Sequence, residues 1–106
     1  MTTFDDRERA YETKFAADEE LRFKATARRN KMLGLWAAEK LGKSGDDAEA
    51  YAKSVVRADF EEPGDEDVFR KVRGDFDAAG LAVTDTEIRK TMRELLVHAA
   101  DEITRT

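Results

Sequence analysis

Glycine and proline cut this chain into four stretches, and each stretch carries apolar residues at the three-and-four spacing of a helix. Gly42 and Gly45 bracket a polar turn, Pro63–Gly64 makes a second break and Gly80 a third. The first stretch, with Leu21, Ala25, Met32, Leu35 and Trp36, predicts a long helix ending at Leu41. Ser44 or Asp46 can cap the second, with Asp47 or Glu49 three positions on to complete a capping box. Its inward line is Ala48, Tyr51, Ala52, Val55 and Phe60. Asp65 caps a third helix with Val68, Phe69, Val72, Phe76 and Ala79 inward. The fourth has the clearest start: Thr84 as cap, Glu87 as its reciprocal partner, and Val83 with Ile88 as hydrophobic staple. Its core line is Ile88, Met92, Leu95, Leu96, Ala99 and Ile103.

Ala, Glu, Lys, Arg and Leu dominate, and strand-like alternation is missing; β-branched residues come at most two in a row, as at Val55–Val56. The fold class is therefore all-α: a four-helix bundle of antiparallel type, joined by short connections. At 106 residues it is one small domain. Leu, Ile, Val and Phe supply 21 residues, while 41% of the chain is charged. A core that thin leaves part of the chain without a place in it. Residues 32–41 are apolar on more than one side, which puts that part of the first helix at the centre, with Trp36 as anchor. Gly34 lies within it and costs about 1 kcal/mol of helix propensity relative to Ala. Close approach of a neighbouring helix accounts for it.

Several function classes fall away. The chain has no cysteine, hence no disulfide framework and no thiolate metal site, which fits a reducing compartment. The absence of a leader and of an 18-residue apolar run argues against export and membrane insertion. A net charge of −5 argues against nucleic acid as a partner. His98 is the only histidine, and a lone His beside Asp101 and Glu102 reads as surface, not as catalyst or ligand. The acids around Pro63 (Asp59, Glu61, Glu62, Asp65, Glu66, Asp67) lack the alternating spacing of a calcium loop and read as caps and solvated charge. No glycine-rich phosphate loop is present. The reading is of a protein without catalytic chemistry, resident cofactor or metal.

Two features remain. Residues 21–33 hold five bases, Arg22, Lys24, Arg28, Arg29 and Lys31, and no acid. They form either a solvated helix surface or a positive patch for an acidic surface or phosphate. The other feature is the aromatic line Phe4, Tyr11 and Phe15, within about 40° of one another on a helix and surrounded by charge. If one helix ran through to Trp36, the core stripe would lie about 80–100° away, and Arg22 and Arg29 would extend the aromatic line. Such a line, unburied, is suited to a partner's groove, so residues 1–18 are expected to be frayed or disordered in the free protein.

The runs FDDRERAYETKF, ADEELRFKATARRNKMLGLWAAEKLG and AYAKSVVRADFEEPGDEDVFRKVRGDF resemble the zeta-subunit family of α-proteobacterial F-type ATP synthases over nearly the whole chain. The resemblance implies a flexible inhibitory segment, 1–18, on a bundle domain, 19–106. It implies that the segment enters a catalytic interface of the head, built of alpha, beta and gamma subunits, and blocks ATP hydrolysis and rotation. The residues carried over are Phe4, Asp5, Asp6, Arg7, Glu8, Arg9, Tyr11, Glu12, Lys14 and Phe15. It places the protein in the cytoplasm, peripheral to the inner membrane through the synthase. The alternative is a small helical module that binds ADP, ATP or another anion weakly through Arg22, Lys24, Arg28, Arg29 and Lys31. With its apolar residues assigned within the chain, the free protein is expected to be a monomer.

Overall fold

The computed structural model describes Asp6, Glu8, Arg9, residues 18–60 and residues 64–105. Four helices follow one another: α1 (Glu19–Lys40), α2 (Gly45–Ala58), α3 (Glu66–Ala78) and α4 (Asp85–Arg105). No strand occurs among the described residues, and the all-α four-helix expectation holds.

The caps explain the boundaries. Asp18 is extended (φ −114°, ψ 96°) and accepts a hydrogen bond from the Leu21 N–H at 3.1 Å, so α1 starts afresh at Glu19. This corrects the premise that one helix could run through from the aromatic line to Trp36, because the extended residue breaks the phase. At its other end Gly42 (φ +78°) donates to the Glu39 carbonyl at 3.1 Å and Lys43 to Ala38 at 2.9 Å. That pair of bonds is a Schellman stop, which needs the left-handed residue that glycine supplies. Gly80 (φ +71°) repeats it after α3: its N–H reaches Asp77 at 3.1 Å, and that of Leu81 reaches Phe76 at 3.0 Å. Thr84 Oγ1 accepts the Glu87 N–H at 3.1 Å, as expected, while the Glu87 carboxylate lies 3.5 Å from Lys40 Nζ. Ser44 and Asp65 occupy the cap positions of α2 and α3, but neither side chain makes a capping bond.

Helix α1 is central and packs along both α2 and α4, while α3 closes the bundle against α2 and α4. Arg28 pairs with Glu102 and Lys40 with Glu87, so α1 and α4 run antiparallel. Leu33, Ala37, Val55, Val68, Val72, Phe76 and Ile88 are fully buried in the main cluster. Ala25 and Ala100, with Leu21, Leu96 and Ile103 packed on them, make a smaller one between α1 and α4. Trp36 is half-buried at the edge of the main cluster, its ring meeting Phe76 edge-on at 5.7 Å.

Three expected core residues lie outside. Phe60 is 71% exposed: it comes five positions after Val55, about 140° round from the buried line, and beyond the last turn of α2. Leu35 is 36% exposed, two positions past buried Leu33 and therefore on the far side of α1. Ala79 is exposed because it is the C-cap of α3 and lies past its inward face.

Candidate functional site

Of the aromatic line and its charged flanks, Phe4, Asp5, Arg7, Tyr11, Glu12, Lys14 and Phe15 lie outside the described residues. Asp6, Glu8 and Arg9 have helical backbone, the first and last exposed and Glu8 half-buried. Glu8 Oε2 lies 3.3 Å from Arg93 Nε of α4.

The five bases of residues 22–31 do not converge. At 100° per residue Arg22 and Arg29 share one line of α1, and Lys24, Arg28 and Lys31 another, about 160° round. Most are already matched within the chain. Lys24 lies 3.3 Å from Glu20, Arg28 contacts Glu102 at 2.7 Å, and Lys31 reaches Glu49 at 3.9 Å. Arg22 is exposed.

Arg29 departs most from the surface reading. It is 1% exposed, donating from Nε to Asn30 Oδ1 at 2.8 Å and from Nη2 to Asp65 Oδ1 at 2.7 Å. It is therefore not part of any surface patch, and the idea that it extends the aromatic line is corrected. Its guanidinium instead ties α1 to the start of α3, which explains why Asp65 does not cap that helix. Three of the acids flanking Pro63 gather here: Asp59, Asp65 and buried Asp67. Burial, then the Asp67 and Asp65 carboxylates, pushes the Asp59 carboxyl above its ordinary range, with Arg29 and the Asn30 amide pulling the other way.

A second polar knot joins α2 and α3. The Tyr51 hydroxyl donates to Asp75 Oδ2 at 2.7 Å, and Lys71 Nζ reaches the same oxygen at 2.8 Å. Burial and the Asp75 carboxylate push the Tyr51 hydroxyl well above the usual tyrosine range. His98 is exposed. Among the described residues, no group of three or more His, Cys, Asp or Glu is arranged to hold a metal ion, and no helix is long and apolar enough to cross a membrane.

One cluster was missed in the sequence. Lys53 and Arg57 of α2 project towards Lys31 of α1 around Val56, lining a groove of about 290 Å³. The available signal was the like-charge spacing of Lys53 and Arg57, four apart on a helix face.

These features define a small helical bundle whose surface offers charged and apolar contacts. The comparisons narrow that class. A family model described as ATPase inhibitor subunit zeta matches residues 1–102, and the chain belongs to that family. The family's description is that of an inhibitor subunit, a regulatory role. Among solved structures, one determined by NMR in solution is 52% identical, with a TM-score of 0.72, over 80% of this chain and 96% of the other. A comparison with curated proteins gives no match.

Proposed function

We propose that the protein inhibits ATP hydrolysis by the F-type ATP synthase, with residues 1–18 as the inhibitory segment and residues 19–106 as the bundle that carries it. The family match carries this reading, because it spans segment and bundle together under the description of an ATPase inhibitor. The cap at Asp18 supports the division, since α1 needs nothing before it to begin. In this reading the segment enters a catalytic interface of the head, between alpha and beta subunits around the turning gamma shaft. A helix wedged there stops rotation in one state. Phe4, Tyr11 and Phe15 supply apolar contact, and Asp5, Asp6, Arg7, Glu8, Arg9, Glu12 and Lys14 the charged flanks. The protein works as a monomer without cofactor, on the cytoplasmic side of the inner membrane and held there through the synthase.

Binding of ADP or ATP through the basic run has less support, because Lys24, Arg28, Arg29 and Lys31 already face carboxylates. Amide shifts confined to residues 22–31 on adding ADP, with no binding to the synthase head, would favour it. The decisive experiment measures ATP hydrolysis by the cognate synthase with the parent protein and with Phe4, Tyr11 and Phe15 all changed to Ala. The parent should inhibit; the triple variant should not, while melting at nearly the parent's temperature. A triple variant that inhibits like the parent overturns the role of the segment.

A further inference from the structure

Burial removes almost every large apolar side chain from the described surface, with three exceptions: Phe23 at 63% exposed, Phe60 at 71% and Leu35 at 36%. Phe23, near the start of α1, and Phe60, just past α2, belong to the two helices that form one pair, and Leu35 stands on the outer face of α1, one turn after Lys31. Helices α1 and α2 cross closely at Gly34 and Ala52, and Lys31 shares a groove with Val56 and Arg57 further along α2. The two helices therefore run antiparallel, which brings the first turns of α1, with Phe23, towards the end of α2, where Phe60 sits. On α1, Phe23, Lys31 and Leu35 fall at four-residue steps; on α2, Val56 lines the groove, and Phe60 follows just past the helix's end. From Phe23 to Leu35 these steps cover about 18 Å at about 1.5 Å per residue.

Bases predominate along the α1/α2 seam, with Glu49 as the acid that Lys31 meets. Lys31, Lys53 and Arg57 line the groove with Val56, and no acid lines it. The chain as a whole has 24 acids against 19 bases. Lys53 and Arg57 have no carboxylate partner among the described residues, and Lys31 has only a long contact to Glu49 at 3.9 Å. Like charges four apart on a helix oppose folding slightly. Acids on a partner would answer Lys53 and Arg57.

We infer that the α1/α2 seam is the bundle's own docking surface, and that its occupant is an acidic, amphipathic segment of the partner protein. The inference rests on the inhibitor reading above and names where the bundle holds on. The apolar side chains of such a segment would cover Phe23, Phe60 and Leu35, while its carboxylates meet Lys53 and Arg57. A free anion satisfies only the cations and leaves Phe23, Phe60 and Leu35 wet. Glu8 of this chain is directed elsewhere: it meets Arg93 on α4, beside the cleft that Arg29 shares, and Arg29 lies about 160° round α1 from Lys31.

The test uses the full chain and the solubilised cognate synthase. Binding and the inhibition curve are measured for the parent, for Lys53→Gln/Arg57→Gln, for Phe60→Ser, and for Lys90→Gln, an exposed base on α4. The seam variants should bind at least about tenfold more weakly, Lys53→Gln/Arg57→Gln also with a shallower salt dependence, yet reach the parent's full inhibition at saturation. Lys90→Gln should match the parent. Seam variants that bind within twofold of a binding parent overturn the docking surface and leave the inhibitor reading standing. A parent that neither binds nor inhibits overturns both. Two further outcomes reassign the seam and overturn the inference: binding to anionic phosphatidylserine vesicles that the seam variants abolish, or a micromolar dimer that they dissolve.

Discussion

Gly34 and Gly74 both lie inside helices, and alanine should act on them in opposite directions. A Cβ built on Gly34 would meet Ala52 Cα at 2.5 Å, Ala52 Cβ at 3.0 Å and the Ala52 carbonyl oxygen at 3.3 Å. Ordinary carbon contacts sit at about 3.5–4.0 Å, so α1 and α2 would have to separate by about 1 Å. The nearest obstacle is backbone, which no rotamer can move. Overpacking of this kind costs about 1–3 kcal/mol, and at the upper end here; the gain in helix propensity returns about 1 kcal/mol. We expect Gly34→Ala to destabilise by about 1–2 kcal/mol, a fall in Tm of roughly 5–15 °C for a domain of this size. At Gly74 nothing lies within 4 Å of the added carbon, and propensity acts alone. Gly74→Ala should therefore stabilise by about 0.5–1 kcal/mol. Thermal and urea unfolding, followed by circular dichroism, read both. Adding Ala52→Gly to Gly34→Ala should recover only part of the loss, since the Ala52 backbone remains in place. A Gly34→Ala protein as stable as the Gly74→Ala protein would refute the close crossing.

Other consequences follow from the same contacts. Asp65→Asn should cost more stability than Arg29→Met, about 1–3 kcal/mol in urea unfolding, because it leaves the buried guanidinium short of its nearest counter-charge whereas half-exposed Asp65 can turn to water. The raised Asp59 carboxyl binds its proton more tightly in the folded chain than in the unfolded one, so its contribution to stability is present at low pH. That contribution is lost as pH rises from the ordinary Asp range through the raised folded value. Asp59→Asn should then stabilise at pH 7 and make little difference below the ordinary Asp pKa, a contrast read by paired melts. Inserting ten Gly and Ser residues between Ala17 and Asp18 should weaken inhibition only severalfold, as a longer flexible tether does; complete loss would mean that segment and α1 must form one rigid helix.

Helix positions and most of the buried line were legible because both follow from local rules: where glycine can take a positive φ, and which residues recur every three or four. Ile88, Val72 and Phe76 needed nothing more. The misses were of two kinds, errors of phase at a helix end and contacts that needed a neighbour. Phe60 looked inward by composition, but its phase and the end of α2 at Ala58 turn it out. Arg29 looked like one base among five; only the start of α3, thirty-six residues away, gives it a carboxylate to bury against. Asp65 was placed at the right cap position, yet its side chain goes to that same arginine. The groove at Lys31, Lys53 and Arg57 joins two helices that the sequence treats separately. Local chemistry predicts where a helix begins. What its surface meets depends on crossing geometry.

The cap at Asp18 has an energetic consequence for the proposed mechanism. Because α1 begins without help from the preceding residues, any order the segment takes up in a complex has to be stabilised by the complex. Fixing about 15 residues costs on the order of 1–2 kcal/mol apiece for backbone alone. Burying three aromatics returns about 1.5–3 kcal/mol each, which falls short. Backbone hydrogen bonds within the bound helix and arginine–carboxylate contacts from Arg7 and Arg9 close part of the difference. In the proposed complex the bundle adds to these by holding the segment near its groove. Phe23, at one end of the α1/α2 seam, is five residues from Asp18, about 8 Å along the helix. A bundle seated there makes entry of the segment an intramolecular event, at an effective concentration in the millimolar range. Weak anchoring and a costly wedge can thus combine into firm inhibition, and either element alone should bind poorly.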